Sequence, residues 1–358
     1  MASDTPAFDQ YARNLLNEPF SLQSSLPIKM RFFPQGSQPI LLVSMHHSAG
    51  DGISWLHMLI SLRKYLNGEK PALVPLDNPS MLTGVVKKPY STIPQQLRQS
   101  YQMISKVIQE ARGDKFITPS AKSADFWGPV GMYPTLRARD FASLKKGSKA
   151  LGYSVNVLHM TAYAIACSRG PARENGNVIS IAVSIDLRPY MDDKPPVFGN
   201  YVSLFYVRVP KKYWDDHREM LRVVNEQMQI WMDRFKNKEM SYPILVEKLL
   251  TLVGKKNFAW GARVARKKGQ VNMSFAFSTM GNLDMVNKAG TRFHICELRS
   301  IVPQYGMFIT SCSLGGKTIN SISYPEAEYT TAEIGTFYDA YEKALDELLA
   351  LPSDQAKA

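Results

Sequence analysis

The chain has 358 residues, of which 45% are hydrophobic, and it carries a formal net charge of +12 at pH 7. That length and apolar content allow a well-buried core and predict two lobes. Residues 1–13 lack the basic segment, apolar stretch and cleavage site of a secretory signal, and no apolar run is long enough to cross a bilayer. We therefore expect a cytoplasmic protein without a transmembrane segment.

The positive charge and the absence of several known binding motifs limit the kinds of ligand and partner that we expect. A field of this sign attracts anions, such as coenzyme A phosphates, an acidic carrier protein, an anionic membrane surface or nucleic acid. Nucleic acid is the least favoured of these, because no recognised binding motif accompanies the charge. The sequence shows no Gly-rich phosphate loop, paired-carboxylate site or zinc-ligand spacing, so we expect no metal and no bound cofactor.

The N-terminal part begins with a predicted antiparallel strand pair. Residues 28–33 and 40–46 are apolar runs separated by Pro34-Gln35-Gly36-Ser37, which is turn chemistry. From Ser54 the apolar residues take helical spacing, and Asn67-Gly68 provides a stop. Residues 46–52 therefore lie on a loop between the end of a strand and the start of a helix.

Mixed strands and helices follow. A helix is predicted over 94–111, with Pro94 suited to its first turn, and the polar stretch 113–128 indicates a connection between lobes. Beyond it we predict strands over 132–139, 178–185, 201–209, 272–279, 308–313 and 319–324, and helices over 141–151, 155–168, 213–236, 242–268 and 332–349. This mixture indicates an α/β or α+β sandwich, with an N-terminal lobe over 1–120 and a C-terminal lobe over 131–358.

The stretch His46 to Gly52 (HHSAGDG), here called the histidine motif, indicates chemistry. Two adjacent histidines followed after three residues by Asp-Gly should occur by chance in about one random chain in a few thousand. Successive strand residues point to opposite faces, so we expect one of His46 and His47 to be catalytic and the other structural. An imidazole that titrates near neutrality can take a proton from a hydroxyl or amine and return it to a leaving thiolate. The alternative is a pair of core histidines.

Asp51 and the motif glycines have their own interpretations. The Asp51 carboxylate could act as a second acid or base, but a carboxylate beside a helix start more often caps that helix or pairs with an arginine. We favour that structural role. Gly50 and Gly52 fit a tight loop where the backbone bends or where a substrate passes close by.

The motif resembles the HHxxxDG signature of the chloramphenicol-acetyltransferase-like superfamily, which includes peptide-synthetase condensation domains, BAHD acyltransferases and alcohol acetyltransferases. Three further stretches resemble this superfamily in the same order: 186–189 (DLRP), 198–201 (FGNY) and 278–283 (STMGNL). The order matches from about residue 9 to the C-terminus. The resemblance implies two lobes with an active-site tunnel between them.

The resemblance also implies a role for each matching residue. His47 would be the general base facing the tunnel, next to Gly52 and supported by His46. Asp51 would pair with Arg188 and hold the loop. At the crossover between lobes, the oxyanion or substrate would be bound by residues of the third stretch, namely Ser278, Thr279 and Gly281.

The implied activity is transfer of an acyl group from a thioester, either acyl-CoA or an acyl-carrier protein, to a small-molecule alcohol or amine. Family members usually carry a longer region before the motif, whereas 45 residues precede His46 here. We therefore expect a shortened N-terminal lobe, which another chain could complete. The alternatives are a condensation-like domain from a larger synthetase and a non-catalytic module that binds a carrier protein or another partner.

Other residues give weaker signals. Several basic residues are either solvated faces or a docking surface for phosphates or an acidic carrier: the lysine pairs and the cluster Arg263, Arg266, Lys267 and Lys268. The neighbouring Phe258 and Trp260 also permit an interpretation as a membrane-binding surface. We expect the isolated histidines to be structural or exposed and the cysteines to be small core residues. These residues are His57, His159, His217, His294, Cys167, Cys296 and Cys312.

Overall fold

Two sheets organise the part of the chain that the structure describes. The computed structural model describes residues 6–352 except 35–38, 72–91, 111, 121–127, 134–136, 191–197, 238, 240–253, 255–256, 258–259, 261–263, 265–272, 289, 291 and 305. In the N-terminal part, β1 (Ile28–Phe33) and β2 (Ile40–Met45) form an antiparallel pair. This is the strand pair that the apolar runs predicted.

A seven-stranded sheet lies in the C-terminal part. Its strands are β3 (Val130–Tyr133), β4 (Arg139–Asp140), β5 (Val178–Asp186), β6 (Val202–Pro210), β7 (Phe275–Asn282), β8 (Phe308–Leu314) and β9 (Lys317–Pro325). They are ordered β3-β9-β8-β7-β5-β6, and β4 also pairs with β9. β7 runs parallel to β5 and β8, and the other pairs are antiparallel. The predicted α/β class is confirmed.

The described helices contribute about half of the buried apolar residues. They are α1 (Pro6–Asn17), α2 (Gly52–Leu66), α3 (Ile93–Glu110), α4 (Phe141–Ala150), α5 (Val155–Ser168), α6 (His217–Lys236) and α7 (Thr331–Leu349). A helix that is apolar on all sides is buried in a domain core. α5 is such a helix and contacts both α6 and α7. Its Tyr163 stacks on Tyr341 of α7, with ring centroids 3.8 Å apart.

Helix α1 was not predicted from the sequence, where residues 1–13 gave only the absence of a signal segment. Phe8 and Leu15 are both buried, and their spacing of seven places them on one helical face. Phe8 packs edge-on against Phe33 of β1, with centroids 5.5 Å apart. Arg13 forms an ion pair with Glu326, just after β9. α1 therefore connects the hairpin to the large sheet.

Two predicted elements have different bounds. The single strand expected over 132–139 is two strands, because β3 and β4 pair with different parts of β9: Gly131 lies opposite Tyr324, and Arg139 opposite Thr318. The helix expected from residue 213 begins at His217. Asp216 caps it by accepting hydrogen bonds from the backbone N–H groups of the first turn.

Other predictions are corrected or lie outside the described residues. Cys167 and Cys312 are buried, but Cys296 is exposed, because it belongs to an irregular segment rather than to a strand or core helix. The helix predicted over 242–268 lies outside the described residues apart from isolated positions such as Trp260, which is exposed. Phe258 and the cluster Arg263, Arg266, Lys267 and Lys268 also lie outside them. Among the described helices, none combines the length and apolar character that crossing a bilayer requires.

Candidate functional site

The histidine motif forms a tight connection between β2 and α2. β2 ends at Met45, residues His47–Ala49 make one turn of 3-10 helix, and α2 begins at Gly52. Asp51 is the N-cap of α2, and its Oδ1 accepts a hydrogen bond of 3.0 Å from the backbone N–H of Ser54. This cap satisfies one of the backbone donors that a helix start leaves free. The motif thus positions its histidines through the geometry of a helix start.

Asp51 also accepts a bidentate pair of hydrogen bonds from Arg188. Arg188 Nη1 lies 2.9 Å from Oδ2, and Nη2 lies 3.1 Å from Oδ1. The backbone N–H of Tyr201 donates to Oδ2 at 2.8 Å, so both oxygens of the carboxylate accept hydrogen bonds from the protein itself. Arg188 in turn contacts Asp186 at 2.8 Å and lies 4.7 Å from the centre of the Tyr201 ring. Residues far apart in sequence therefore hold the loop together.

The charges of this pair follow from its contacts. Burial would raise the pKa of the Asp51 carboxyl, but the hydrogen bonds from Arg188, Ser54 and Tyr201, with the positive charge of Arg188, lower it below its ordinary value. Burial likewise opposes the charge of Arg188, yet its contacts with Asp51 and Asp186 raise its pKa. Both groups remain ionised near neutral pH. A carboxylate with every lone pair engaged is suited to fixing the loop rather than to exchanging protons.

Ser54 and Gly199 tie α2 to the segment before β6. The Ser54 hydroxyl donates to Gly199 O at 2.7 Å and accepts from Gly199 N at 2.9 Å. The backbone N–H of Asp51 also donates to Gly199 O, at 3.1 Å. A Cβ on Gly50 would lie 2.7 Å from the Cβ of Ser54, so only glycine permits this approach. We call Asp51, Ser54, Arg188 and Gly199 the loop anchor.

The two histidines occupy different environments. His46 Nδ1 lies 2.7 Å from the Ser48 hydroxyl and accepts a hydrogen bond of 3.2 Å from Ser48 N. Its ring packs edge-on against Phe20 at 5.7 Å. His47 is exposed, and its Nδ1 lies 3.1 Å from the side-chain amide nitrogen Nδ2 of Asn200. His46 is thus bound into the loop, whereas His47 is held by one ring nitrogen and leaves Nε2 for a substrate.

The end of β7 lies beside the motif. A Cβ on Gly52 would meet the methyl group of Met280 at 4.0 Å. The pairing of β7 with β8 is irregular between Thr279 and Gly281, and Gly281 adopts a φ of 68°, where a side chain is strained. The Thr279 hydroxyl accepts from Gly281 N at 3.1 Å. Ser278 lies one residue earlier on β7 and is half-buried.

A cavity of about 530 Å³ lies beside this strand end. Thr279 and Gly281 line it from β7. Polar residues of α4, α5, β8 and β9 complete the wall, among them Lys145, Lys149, Ser154, Asn156, His159, Ser311, Ser313 and Thr318. Lys145 and Lys149 are exposed, so their ammonium groups have access to water at the rim. The cavity thus combines cations with neutral hydrogen-bonding groups.

Sequence reasoning did not assign a role to several residues of this region. Asn200 belongs to the FGNY stretch, but the isolated sequence gave no reason to place its amide on His47. Lys145 was considered only as part of a lysine pair, which could be a solvated face or a docking surface for phosphates, and Lys149 was not considered, although their spacing of four places both on one face of α4. Ser54 marked a helix start and gave no sign of its bonds to Gly199. Each depends on contacts between distant segments.

Comparisons with known proteins establish the fold. No family model and no curated protein matches the sequence. Among solved structures, the first condensation domain of the CDA synthetase matches with a TM-score of 0.68 and 12% identity, over 96% of this chain and 73% of that chain. A trichothecene 15-O-acetyltransferase from Fusarium sporotrichioides matches with a TM-score of 0.62 and 12% identity, over 91% of this chain and 71% of that chain.

A third structure extends the same result. The starter condensation domain of rhizomide synthetase, solved in complex with C8-CoA, matches with a TM-score of 0.63 and 13% identity, over 97% of this chain and 75% of that chain. The chain therefore shares the fold of these condensation and acetyltransferase domains, which is the fold that the sequence resemblance implied. The chain spans about three quarters of the length of these structures.

Proposed function

We propose that the protein is an acyltransferase that moves an acyl group from a thioester to an alcohol or amine, with His47 as general base. The observation that carries this proposal is the placement of His47: it is exposed, its Nδ1 contacts Asn200, and its loop is fixed by the buried Asp51–Arg188 pair. A base must be held in one orientation while its reactive nitrogen remains open to substrate. The loop anchor supplies the first condition, and the exposure of His47 supplies the second.

The contact with Asn200 bears on which nitrogen carries the proton. An asparagine amide offers a donor at one end and an acceptor at the other, and a half-turn about χ2 exchanges them. Nδ2 of Asn200 faces His47 Nδ1 in the structure, and a half-turn of the amide brings Oδ1 to the same place. With Oδ1 there, the imidazole holds its proton on Nδ1 and presents an unprotonated Nε2. That tautomer is the one a general base requires, and in this proposal Asn200 selects it.

The proposed reaction has two steps, addition of the acceptor to the thioester and collapse of the intermediate. His47 Nε2 takes the proton of the acceptor O–H or N–H as that atom attacks the thioester carbonyl. The tetrahedral intermediate bears a negative oxygen, for which Ser278, Thr279 and the backbone near Gly281 are the proposed hydrogen-bond donors. Collapse breaks the C–S bond, and the imidazolium returns its proton to the thiolate. The products are an ester or amide and a free thiol.

The cavity beside β7 is the proposed site of the thioester donor. Lys145 and Lys149 at its rim suit phosphate groups, and the start of α5 at Ser154 adds the positive end of a helix dipole. The fold is shared with a condensation domain solved in complex with C8-CoA, which supports a coenzyme A thioester as donor. Transfer from a carrier-bound thioester, as in a condensation-like domain, is the second form of the same chemistry.

A non-catalytic partner-binding module is the competing function, and one observation favours it. Met30, Phe32 and Leu41 of the β1–β2 hairpin are exposed apolar residues, and Phe32 is 63% exposed. Met30 lies opposite Val43 and Phe32 lies opposite Leu41 in the hairpin, so the three exposed side chains are on the same face. Such a face is suited to a protein partner. Turnover that requires His47 would reject this function.

The deciding experiment is release of free thiol from a panel of acyl-CoA and acyl-carrier donors, with mixed alcohol and amine acceptors. We expect His47→Ala to lower turnover by about 10²–10⁴, the contribution of a positioned general base, without changing the melting temperature. His294→Ala, which replaces an exposed histidine outside the site, is the matched control. Equal turnover in wild type and His47→Ala would refute the proposal.

A further inference from the structure

One group in the wall of the cavity has no role in the proposed reaction. His159 lies on α5, is 1% exposed and lines the cavity. Its Nε2 is buried and has no hydrogen-bond partner in the described part of the chain. Buried polar atoms in native proteins are nearly always paired, because an unpaired one loses its bonds to water without replacement. The cavity wall therefore contains an unmet hydrogen bond.

The partners of the other ring nitrogen indicate where the proton lies. His159 Nδ1 is 2.7 Å from the Tyr341 hydroxyl, and that hydroxyl accepts from Asn320 Nδ2 at 2.8 Å. The hydroxyl has one proton of its own, and donating it to Nδ1 completes its bonding. The imidazole then carries its proton on Nε2, so the unmet group is an N–H donor.

This donor is uncharged at neutral pH. Burial, assisted by the positive charge of Arg139, lowers the pKa of His159 to about 4. The imidazole therefore differs from the two exposed lysines at the cavity rim, which carry full charges. A neutral buried N–H pairs well with a neutral carbonyl oxygen, whereas an anion there would need a compensating cation. The cavity thus offers cations at its rim and a neutral N–H donor in its wall.

We infer that His159 is a specificity-determining residue, whose Nε2–H donates to an amide carbonyl of the donor's pantetheine arm. This inference rests on the proposed function. The pantetheine arm matches both the cationic rim and the neutral donor in the wall, because it joins a phosphate at one end to a thioester at the other through two amides. Coenzyme A and a modified carrier protein share that arm, so His159 serves either form of donor.

Two substitutions separate this role from a structural one. The side-chain amide of asparagine reaches the position of Nδ1, and the longer side chain of glutamine reaches that of Nε2. His159→Asn therefore keeps a partner for Tyr341 and loses the group in the cavity wall, whereas His159→Gln keeps the group in the wall. Thr161→Val is the matched control, because Thr161 is buried on the same helix and is not among the residues that line the cavity.

The test measures binding of two probes by calorimetry with the full chain. Coenzyme A carries the pantetheine arm, and adenosine 3′,5′-bisphosphate lacks it. We expect His159→Asn to weaken coenzyme A binding about three- to tenfold, the effect of one neutral hydrogen bond, and to leave the bisphosphate unchanged. His159→Gln and Thr161→Val should bind both probes within about twofold of wild type.

The outcomes distinguish this inference from the proposed function. Coenzyme A binding that is equal in wild type and His159→Asn would overturn the role of His159 and leave the acyltransferase proposal standing. Weakening of both probes together in His159→Asn would indicate a merely structural effect and would also overturn it. If the wild-type protein bound neither probe, the cavity would not be the donor site, and the donor assignment would fail with the inference.

Discussion

Replacing Asp51 by asparagine tests whether the loop anchor holds the loop of the histidine motif. Asparagine has the same shape and can still cap Ser54, but it lacks the charge that faces Arg188. The Asp51 side chain is completely buried, and Arg188 is only 10% exposed, so water cannot replace the missing carboxylate. The Asp186 carboxylate stays 2.8 Å from Arg188 and still balances part of the positive charge of that arginine. The substitution therefore weakens the anchor without leaving Arg188 alone.

The size of the effect follows from these contacts. Removing one partner of a buried ion pair costs about 3–5 kcal/mol. The lower end applies here because Asp186 and the cap to Ser54 remain, so we expect a loss of about 3 kcal/mol in the free energy of unfolding. At about 2–4 °C for each kcal/mol, the melting temperature should fall by about 6–12 °C. Asp186→Asn, the control, removes a partly exposed partner and should cost about 1 kcal/mol or less.

The assay is thermal unfolding of both variants across pH, with thiol release measured in parallel. The folded-state pKa of Asp51 is lowered, so its stabilisation is present above the unfolded value of about 4 and is lost as the pH falls through the folded value. The difference between wild type and Asp51→Asn should therefore shrink below about pH 4. A variant with wild-type melting temperature but no turnover would refute a structural role for Asp51.

Three further outcomes are expected. Gly50→Ala should lower the free energy of unfolding by about 1–3 kcal/mol in urea denaturation, because its Cβ would lie 2.7 Å from that of Ser54. Asn200→Ala should lower kcat by at least about tenfold, which is less than the loss of His47 itself, because the tautomer is no longer selected. The pKa of His159 is lowered to about 4, so as the pH falls the unfolded chain binds a proton before the folded chain does. Wild type should therefore lose on the order of 3 kcal/mol in the free energy of unfolding, relative to His159→Gln, as the pH falls from about 6.5 to about 4. A flat pH difference would contradict the last expectation.

Elements with a strong local pattern could be predicted from the sequence. β5 is a continuous apolar run, and α2 follows an N-cap with helical spacing, so both were identified within a few residues. α1 was missed because its buried positions are few and its other residues are polar. The division of 132–139 into β3 and β4 depends on pairing with β9, which no local pattern reveals.

The candidate site shows the same limit. The motif itself indicated a histidine base and a capping aspartate, since both follow from residue chemistry at a strand-to-helix loop. That Arg188 is the partner of Asp51 came from the resemblance to a known superfamily. Asn200 and His159 emerged only from the structure, because each contacts a residue more than 150 positions away in sequence.

The pairing of β5 with β6 explains how distant residues reach the motif. Asp186 at the end of β5 lies opposite Val202 at the start of β6, and Leu187 N donates to Tyr201 O at 2.9 Å. This register brings the two sides of the connection together, with Arg188 on one side and Asn200 on the other. Both then contact the histidine motif, which follows β2 in the predicted N-terminal lobe. The position of His47 therefore depends on how the β5–β6 connection packs against that lobe, and substitutions in this connection should alter turnover without touching a substrate.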